Sequence, residues 1–154
     1  MMNRIYALGS MVALGSLLVV VPSALAQIQL DGNLKVTVNA LDSQEGAVCF
    51  KLFSGRQGFP SEDDSAVLKR CVPIEEVPLT VTFEDLPFGN YAVAVYHDEN
   101  EDSIMNRNSF GMPSEGYGFS NDAPAMTGPA QFEDAMFVVA GPTTEIQLTM
   151  RYPE

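Results

Sequence analysis

The feature that most constrains this chain is a two-residue period of apolar side chains that returns in short runs. From Asn33 to Leu41, the residues Leu34, Val36, Val38 and Ala40 fall on one side, and Lys35, Thr37 and Asn39 on the other. Successive side chains of a strand point to opposite faces, so this pattern predicts a half-buried strand; a helix would need spacings of three and four. After a turn signal at Asp42 to Gly46, a run from Ala47 to Phe53 sets Val48, Phe50 and Leu52 against Cys49 and Lys51. This predicts a second strand, antiparallel to the first. Leu79, Val81 and Phe83 alternate with Thr80, Thr82 and Glu84 in a third strand that ends in the turn DLPFGN.

Tyr91, Val93 and Val95 alternate with Ala92, Ala94 and Tyr96, which are themselves apolar, so this strand is expected at the centre of a sheet with both faces covered. Two further strands are expected at Ala135 to Val139 and Glu145 to Met150, separated by Gly141-Pro142. The stretch Ser54 to Arg70 breaks the alternation and reads as a loop with one short helical turn, its acids Glu62, Asp63 and Asp64 forming a solvated face. Short strands joined by turns predict an all-β fold, an antiparallel β-sandwich of about seven strands. A small closed β-barrel is the alternative, because it needs the same alternation.

The N-terminus has a different pattern. MMNRIYALGSMVALGSLLVVVPSALAQ carries one positive charge at Arg4, an apolar run from about Leu8 to Val21, and the small-x-small ending Ala24-Leu25-Ala26. This is the layout of a secretory signal peptide over residues 1–26, leaving one domain over 27–154. Gly9, Gly15 and Pro22 lie in or beside the run, which argues against a membrane-spanning helix, and Gln27 stands where a lipid-bearing cysteine would be needed. The mature chain is therefore expected in a periplasm or outside the cell, without stable membrane insertion. The formal net charge of −12 argues against nucleic acid as a partner, since phosphate backbones would be repelled. Cys49 and Cys71 are the only cysteines, and an oxidising compartment favours a disulfide between them. Their spacing fits neither a zinc motif nor a C-x-x-C pair.

The succession FEDLPFGNYAVAVYHDENEDSIMNRNSFGMPSEGYGFSND resembles the bacterial exported family known as DUF2141 over most of the mature chain, most strongly from Leu86 to Asn121. The matching residues are Gly89 and Tyr91, then His97-Asp98-Glu99-Asn100, then Gly111, Pro113, Glu115, Gly116, Gly118, Phe119 and Ser120. The resemblance implies a sandwich and no established activity. Leu86-Pro87-Phe88-Gly89-Asn90-Tyr91 is also similar, more weakly, to the strand entry of prealbumin-like and carboxypeptidase-regulatory-like modules. That pattern has a structural reason, since Pro and Gly suit the turn and the Tyr anchors the strand behind it.

The segment after the central strand concentrates the polar chemistry. Asp98, Asn100 and Asp102 stand at alternate positions, followed by the Ile104 carbonyl and the Asn106 amide, at spacings like those of a calcium loop. Ser103 replaces the sharp-turn glycine and Ser109 the closing glutamate, so Glu115 or Asp122 would have to complete the shell. The competing reading is a set of solvated Asx turns at the end of a sandwich, and the two departures favour it. His97, the only histidine, stands beside Asp98, and a hydrolase centred on this pair would draw a nucleophile from Ser109, Ser114 or Ser120. No G-x-S-x-G elbow supports it, and a structural histidine is the simpler reading. Gly111, Gly116 and Gly118 precede no helix, which argues for tight turns rather than a phosphate cradle. The expected function is an exported non-enzymatic accessory or binding module that meets a small ligand or an envelope protein through residues 98–122, with calcium as candidate cofactor. A structural component of the cell envelope is the remaining alternative.

Overall fold

The computed structural model describes residues 30–153; the expected signal peptide and the cut before Gln27 lie outside them. Eight strands are present among the described residues: β1 Asp31–Asn39, β2 Ala47–Phe53, β3 Leu68–Pro73, β4 Leu79–Pro87, β5 Gly89–Asp98, β6 Tyr117–Phe119, β7 Phe137–Val139 and β8 Thr143–Thr149. One four-residue helix, α1 Phe132–Ala135, ends on the first residue of the strand expected at Ala135 to Val139, which begins only at Phe137. The strands form two sheets, β4-β1-β8 and β3-β2-β5-β6, with β7 also pairing β5. The sheets do not close into a barrel, so the fold is a β-sandwich.

Three expectations are corrected. β1 and β2 do not pair; each lies in a different sheet. The reason lies in their outward faces: Lys35, Thr37 and Asn39 suit a solvent-facing strand, whereas β2 buries residues on both sides and needs an interior place. The sandwich is also not wholly antiparallel, because β1 pairs β8 in parallel, with Val36 opposite Ile146. Finally, residues Leu68–Pro73 are not the end of a loop but an edge strand against β2, with Cys49 opposite Cys71. As an edge, β3 leaves Lys69, Arg70 and Cys71 exposed and so carries no apolar alternation. The disulfide Cys49–Cys71 joins β3 to β2.

The core between the sheets takes one face from every long strand: Leu34, Val36 and Val38 of β1, Val48, Phe50 and Leu52 of β2, Leu79, Val81 and Phe83 of β4, Tyr91, Val93 and Val95 of β5, and Leu148 of β8. Phe50 and Phe83 meet edge to face across the sandwich, with ring centroids 5.5 Å apart. Each such side chain contributes roughly 1.5–3 kcal/mol by leaving water. A second, smaller core covers the other face of the β2–β5 sheet. It consists of Phe53, Ala92, Ala94, Phe119, Ala123, Ala130, Phe132 and Ala135, with Phe59 packed against it. The strand β5 is thus buried on both faces, as its small apolar residues require.

Candidate functional site

The alternation of β5 continues to its last residues, and there the side chains become polar without becoming exposed. His97 follows Val93 and Val95 onto the inner face and Asp98 follows Ala94 and Tyr96 onto the outer face; both are fully buried. Buried polar groups need partners, and each finds its own.

His97 Nε2 lies 2.7 Å from the Glu45 carbonyl oxygen. A carbonyl can only accept, so Nε2 carries a hydrogen, and in the neutral ring Nδ1 presents a lone pair. Nδ1 accepts from the Tyr152 hydroxyl at 2.8 Å and stands 3.6 Å from Asp42 Oδ1 and 3.7 Å from Glu99 Oε1. Burial pushes the Tyr152 phenol up to about 12, with the Asp42 and Glu99 carboxylates adding to it. Tyr152 in turn packs against Gly116, where a Cβ would run into its ring, and the Gly116 carbonyl accepts from the His97 backbone N–H at 2.8 Å.

On the other face, the Asp98 carboxylate accepts the backbone N–H groups of Asp102 at 3.1 Å and Ser103 at 2.8 Å, folding the chain back over the strand end. Cys49 Sγ lies 3.8 Å from Asp98 Oδ2, but a disulfide sulfur has no hydrogen to donate, so this is packing. Asp102 accepts the Ile104 N–H at 2.8 Å and the Asn100 and Asn106 side-chain amides at 2.9 and 3.2 Å. The Ile104 N–H above all, with those amides, holds its carboxyl below the usual carboxylate range. Ser103 has φ 61°, the left-handed conformation that a glycine would adopt more cheaply, and the Tyr96 hydroxyl donates to its carbonyl at 2.7 Å. Glu115 is nearly buried and accepts the Asn106 N–H at 2.9 Å; burial pushes its carboxyl up.

Asp98, Asn100, Asp102, Ile104, Asn106 and Glu115 therefore belong to one hydrogen-bonded turn. Asp122 does not: its carboxylate accepts the Thr149 N–H of β8 at 2.7 Å. Among the described residues, the trios of His, Cys, Asp or Glu whose ligand atoms lie within 4.8 Å of one another are Cys49, Cys71, Asp98 and Asp42, His97, Glu99. The first is tied up as a disulfide, and the loop carboxylates do not close to that distance as a set. Sequence reasoning missed the second trio. Glu99 shares the face of His97 two residues on, a signal legible in the strand pattern, but Asp42 and Tyr152 arrive from remote segments.

The family-motif residues have structural tasks as well. The Tyr91 hydroxyl donates to the Pro87 carbonyl at 2.8 Å and clamps the β4–β5 turn that Gly89 opens. Pro113 bridges to Arg107, so residues 106–114 form a small hairpin with Gly111 at φ 78° near its tip. Gly118 has Leu148 Cδ1 and the Thr149 carbonyl 3.0 Å from where a Cβ would stand. Phe119 joins the outer core. Ser120 is fully buried; its hydroxyl accepts the Val93 N–H at 2.9 Å and donates to the Ala135 carbonyl at 2.6 Å.

Between the acidic turn and the smaller outer core, the surface over the outer face is concave. A groove of about 1010 Å3 runs over Ala94, Tyr96, Tyr117 and Phe119, between the 103–113 segment and residues 125–129. Its rim carries apolar side chains left in water, Met112 at 57% and Met126 at 95% exposure, with Phe110 at 86% on the hairpin tip nearby. This feature was not legible from the sequence.

The family described as "Uncharacterized protein conserved in bacteria (DUF2141)" matches residues 36–147, and the chain belongs to it. No curated protein and no solved structure matches the chain.

Proposed function

We propose that this member of the DUF2141 family is an exported, non-enzymatic binding module that receives an apolar ligand in the groove over the outer face of the β2–β5–β6 sheet. The observation that carries the reading is the groove itself: aromatic and alanine side chains line its floor, methionines stand exposed at the rim, and Lys51, Asp63 and Arg107 also line it. Concave apolar sites on rigid scaffolds are where small molecules bind, and flexible methionines adapt to varied apolar shapes. Export is supported by the signal-like N-terminus and fits a protein with a disulfide. The non-enzymatic reading is supported by the hydrogen bonds of His97, which go to Tyr152 and Glu45 and to none of Ser109, Ser114 or Ser120.

The test is a fluorescence titration with N-phenyl-1-naphthylamine, an uncharged apolar dye. Saturable binding by the folded protein is expected, weakened about tenfold, or ~1.4 kcal/mol, in the double variant Met112→Glu/Met126→Glu with an unchanged near-ultraviolet spectrum. Dye binding that is absent, or equal in the variant, rejects the groove. Intact mass of protein taken from its native envelope fraction should begin at Gln27; a retained Met1 overturns export.

As a second reading, the acidic turn over residues 98–115 is proposed to take calcium by drawing together carboxylates that backbone N–H groups now hold apart, with Asp98 and Asp102 giving charge, Asn100, Asn106 and the Ile104 carbonyl giving neutral oxygens, and Glu115 closing the shell. Support comes from Ser103, which adopts the left-handed conformation of the glycine it replaces, and from Glu115, held one hydrogen bond from Asn106. Calcium added to chelator-treated protein should raise the melting temperature, and Asp98→Ala should abolish the rise. No shift and no heat at millimolar calcium leaves a plain set of turns.

A further inference from the structure

The trio Asp42, His97 and Glu99 lies on the inner face of β5, opposite the groove and the acidic turn, and none of the roles above uses it. We propose that it is a binding site for a divalent transition-metal ion of the zinc or copper type, with His97 Nδ1 and one oxygen each of Asp42 and Glu99 as ligands.

Four observations converge. First, the imidazole is orientated before any ion arrives. The Glu45 carbonyl takes the Nε2 hydrogen at 2.7 Å, which fixes the tautomer and leaves the Nδ1 lone pair on the side shared by the Tyr152 hydroxyl and the two carboxylates. A backbone carbonyl on the far nitrogen is the usual outer partner of a metal-bound histidine. Second, the distances suit such an ion. Bonds of about 2.0–2.2 Å at a tetrahedral angle set ligand atoms about 3.4 Å apart; the observed separations from Nδ1 are 3.6 and 3.7 Å. Third, the electrostatics ask for a cation. Two carboxylate oxygens flank a lone pair that is met only by the Tyr152 hydroxyl, and a full positive charge in the hydroxyl's place attracts all three. Fourth, the two carboxylates stand at the surface, their side chains 52% and 48% exposed, while the His97 ring is sealed from water beneath the Tyr152 hydroxyl. An ion can enter between the carboxylates and displace the Tyr152 hydroxyl from Nδ1. A nitrogen ligand with two carboxylates favours zinc, copper or nickel over calcium or magnesium, which prefer oxygen throughout.

A proton on Nδ1 would satisfy the same charges, so the test must tell the two apart. The probe is zinc alone, titrated calorimetrically into chelator-treated protein with its disulfide intact, at neutral pH and in millimolar calcium to occupy the acidic turn. One zinc per chain is expected, with a rise in melting temperature and a change in the His97 ring-nitrogen chemical shifts. Asp42→Asn and Glu99→Gln, both at exposed positions, should each weaken zinc at least tenfold while Asp102→Asn should not. No stoichiometric uptake at neutral pH, or equal uptake by the Asp42→Asn/Glu99→Gln double variant, overturns the site and leaves the trio as part of the hydrogen-bonded surroundings of His97.

Discussion

Ser120 ends the Gly-Phe-Ser stretch and, as a serine in a family motif, invites a nucleophilic role; its surroundings assign it to the sheet instead. The outer edge of β5 presents the N–H groups of alternate residues, and its partner changes along the way. Tyr91 lies opposite Phe137 of β7, Val95 opposite Gly118 of β6, and the His97 N–H is taken by the Gly116 carbonyl. Val93 falls in the gap between β7 and β6, where the Ser120 hydroxyl accepts its N–H at 2.9 Å and passes the hydrogen bond on to the Ala135 carbonyl at 2.6 Å. Ser120→Ala removes the acceptor from a site sealed from water and leaves a buried donor without a partner, a loss of about 1–3 kcal/mol. For a domain of this size that corresponds to a fall in melting temperature of roughly 4–10 °C. The assay is urea unfolding of the disulfide-intact protein followed by circular dichroism. Ser109→Ala, on the exposed hairpin, serves as the control and should stay within about 0.5 kcal/mol of the parent. If Ser120→Ala also stays within that margin, the hydroxyl is not a sheet element and the reasoning fails.

Two further outcomes are expected. Burial raises the Glu115 carboxyl above the ordinary glutamate range, so its contribution to stability is fully present below that range and is lost as pH rises through the raised value. In chelator, the parent should therefore gain stability relative to Glu115→Gln as pH falls from about 6 to about 4; a parallel pair of curves would refute the buried-carboxyl account. Reducing the Cys49–Cys71 bridge, with its sequence separation of 22, should destabilise the fold by about 3 kcal/mol in the chain-entropy model, and unfolded, unreduced protein should show no alkylatable thiol.

The sequence was most legible where burial is one-sided or complete. β1, β2, β4 and β5 follow from their alternation because each buries a full apolar face. β3 was hidden because an edge strand need not bury a face: Lys69, Arg70 and Cys71 point to water, and only pairing with β2 makes the stretch a strand. The sheet change between β1 and β2 was hidden for a different reason, since alternation says which side of a strand is buried and nothing about which strand lies beside it. At the candidate site, the Asx turns of Asp98 and Asp102 could be read from local spacing. Asp42 and Tyr152 could not, because they reach His97 from the end of β1 and the end of β8 through the sandwich topology.

That topology also decides how the His-Asp pair of the motif is to be understood. Side by side in sequence, His97 and Asp98 look like an acid–base dyad, but neighbours in a strand point to opposite faces. His97 faces Tyr152, Asp42 and Glu99, whereas Asp98 faces the Asp102 and Ser103 N–H groups. The two carry separate environments on one strand end, divided by the sheet. Asp98→Asn should therefore leave the His97 ring-nitrogen chemical shifts unmoved while it removes the response to calcium, and Glu99→Gln should move those shifts while leaving the calcium response in place. The opposite pattern, with His97 answering to Asp98 and not to Glu99, would restore the dyad and with it the case for catalysis at this end of the sandwich.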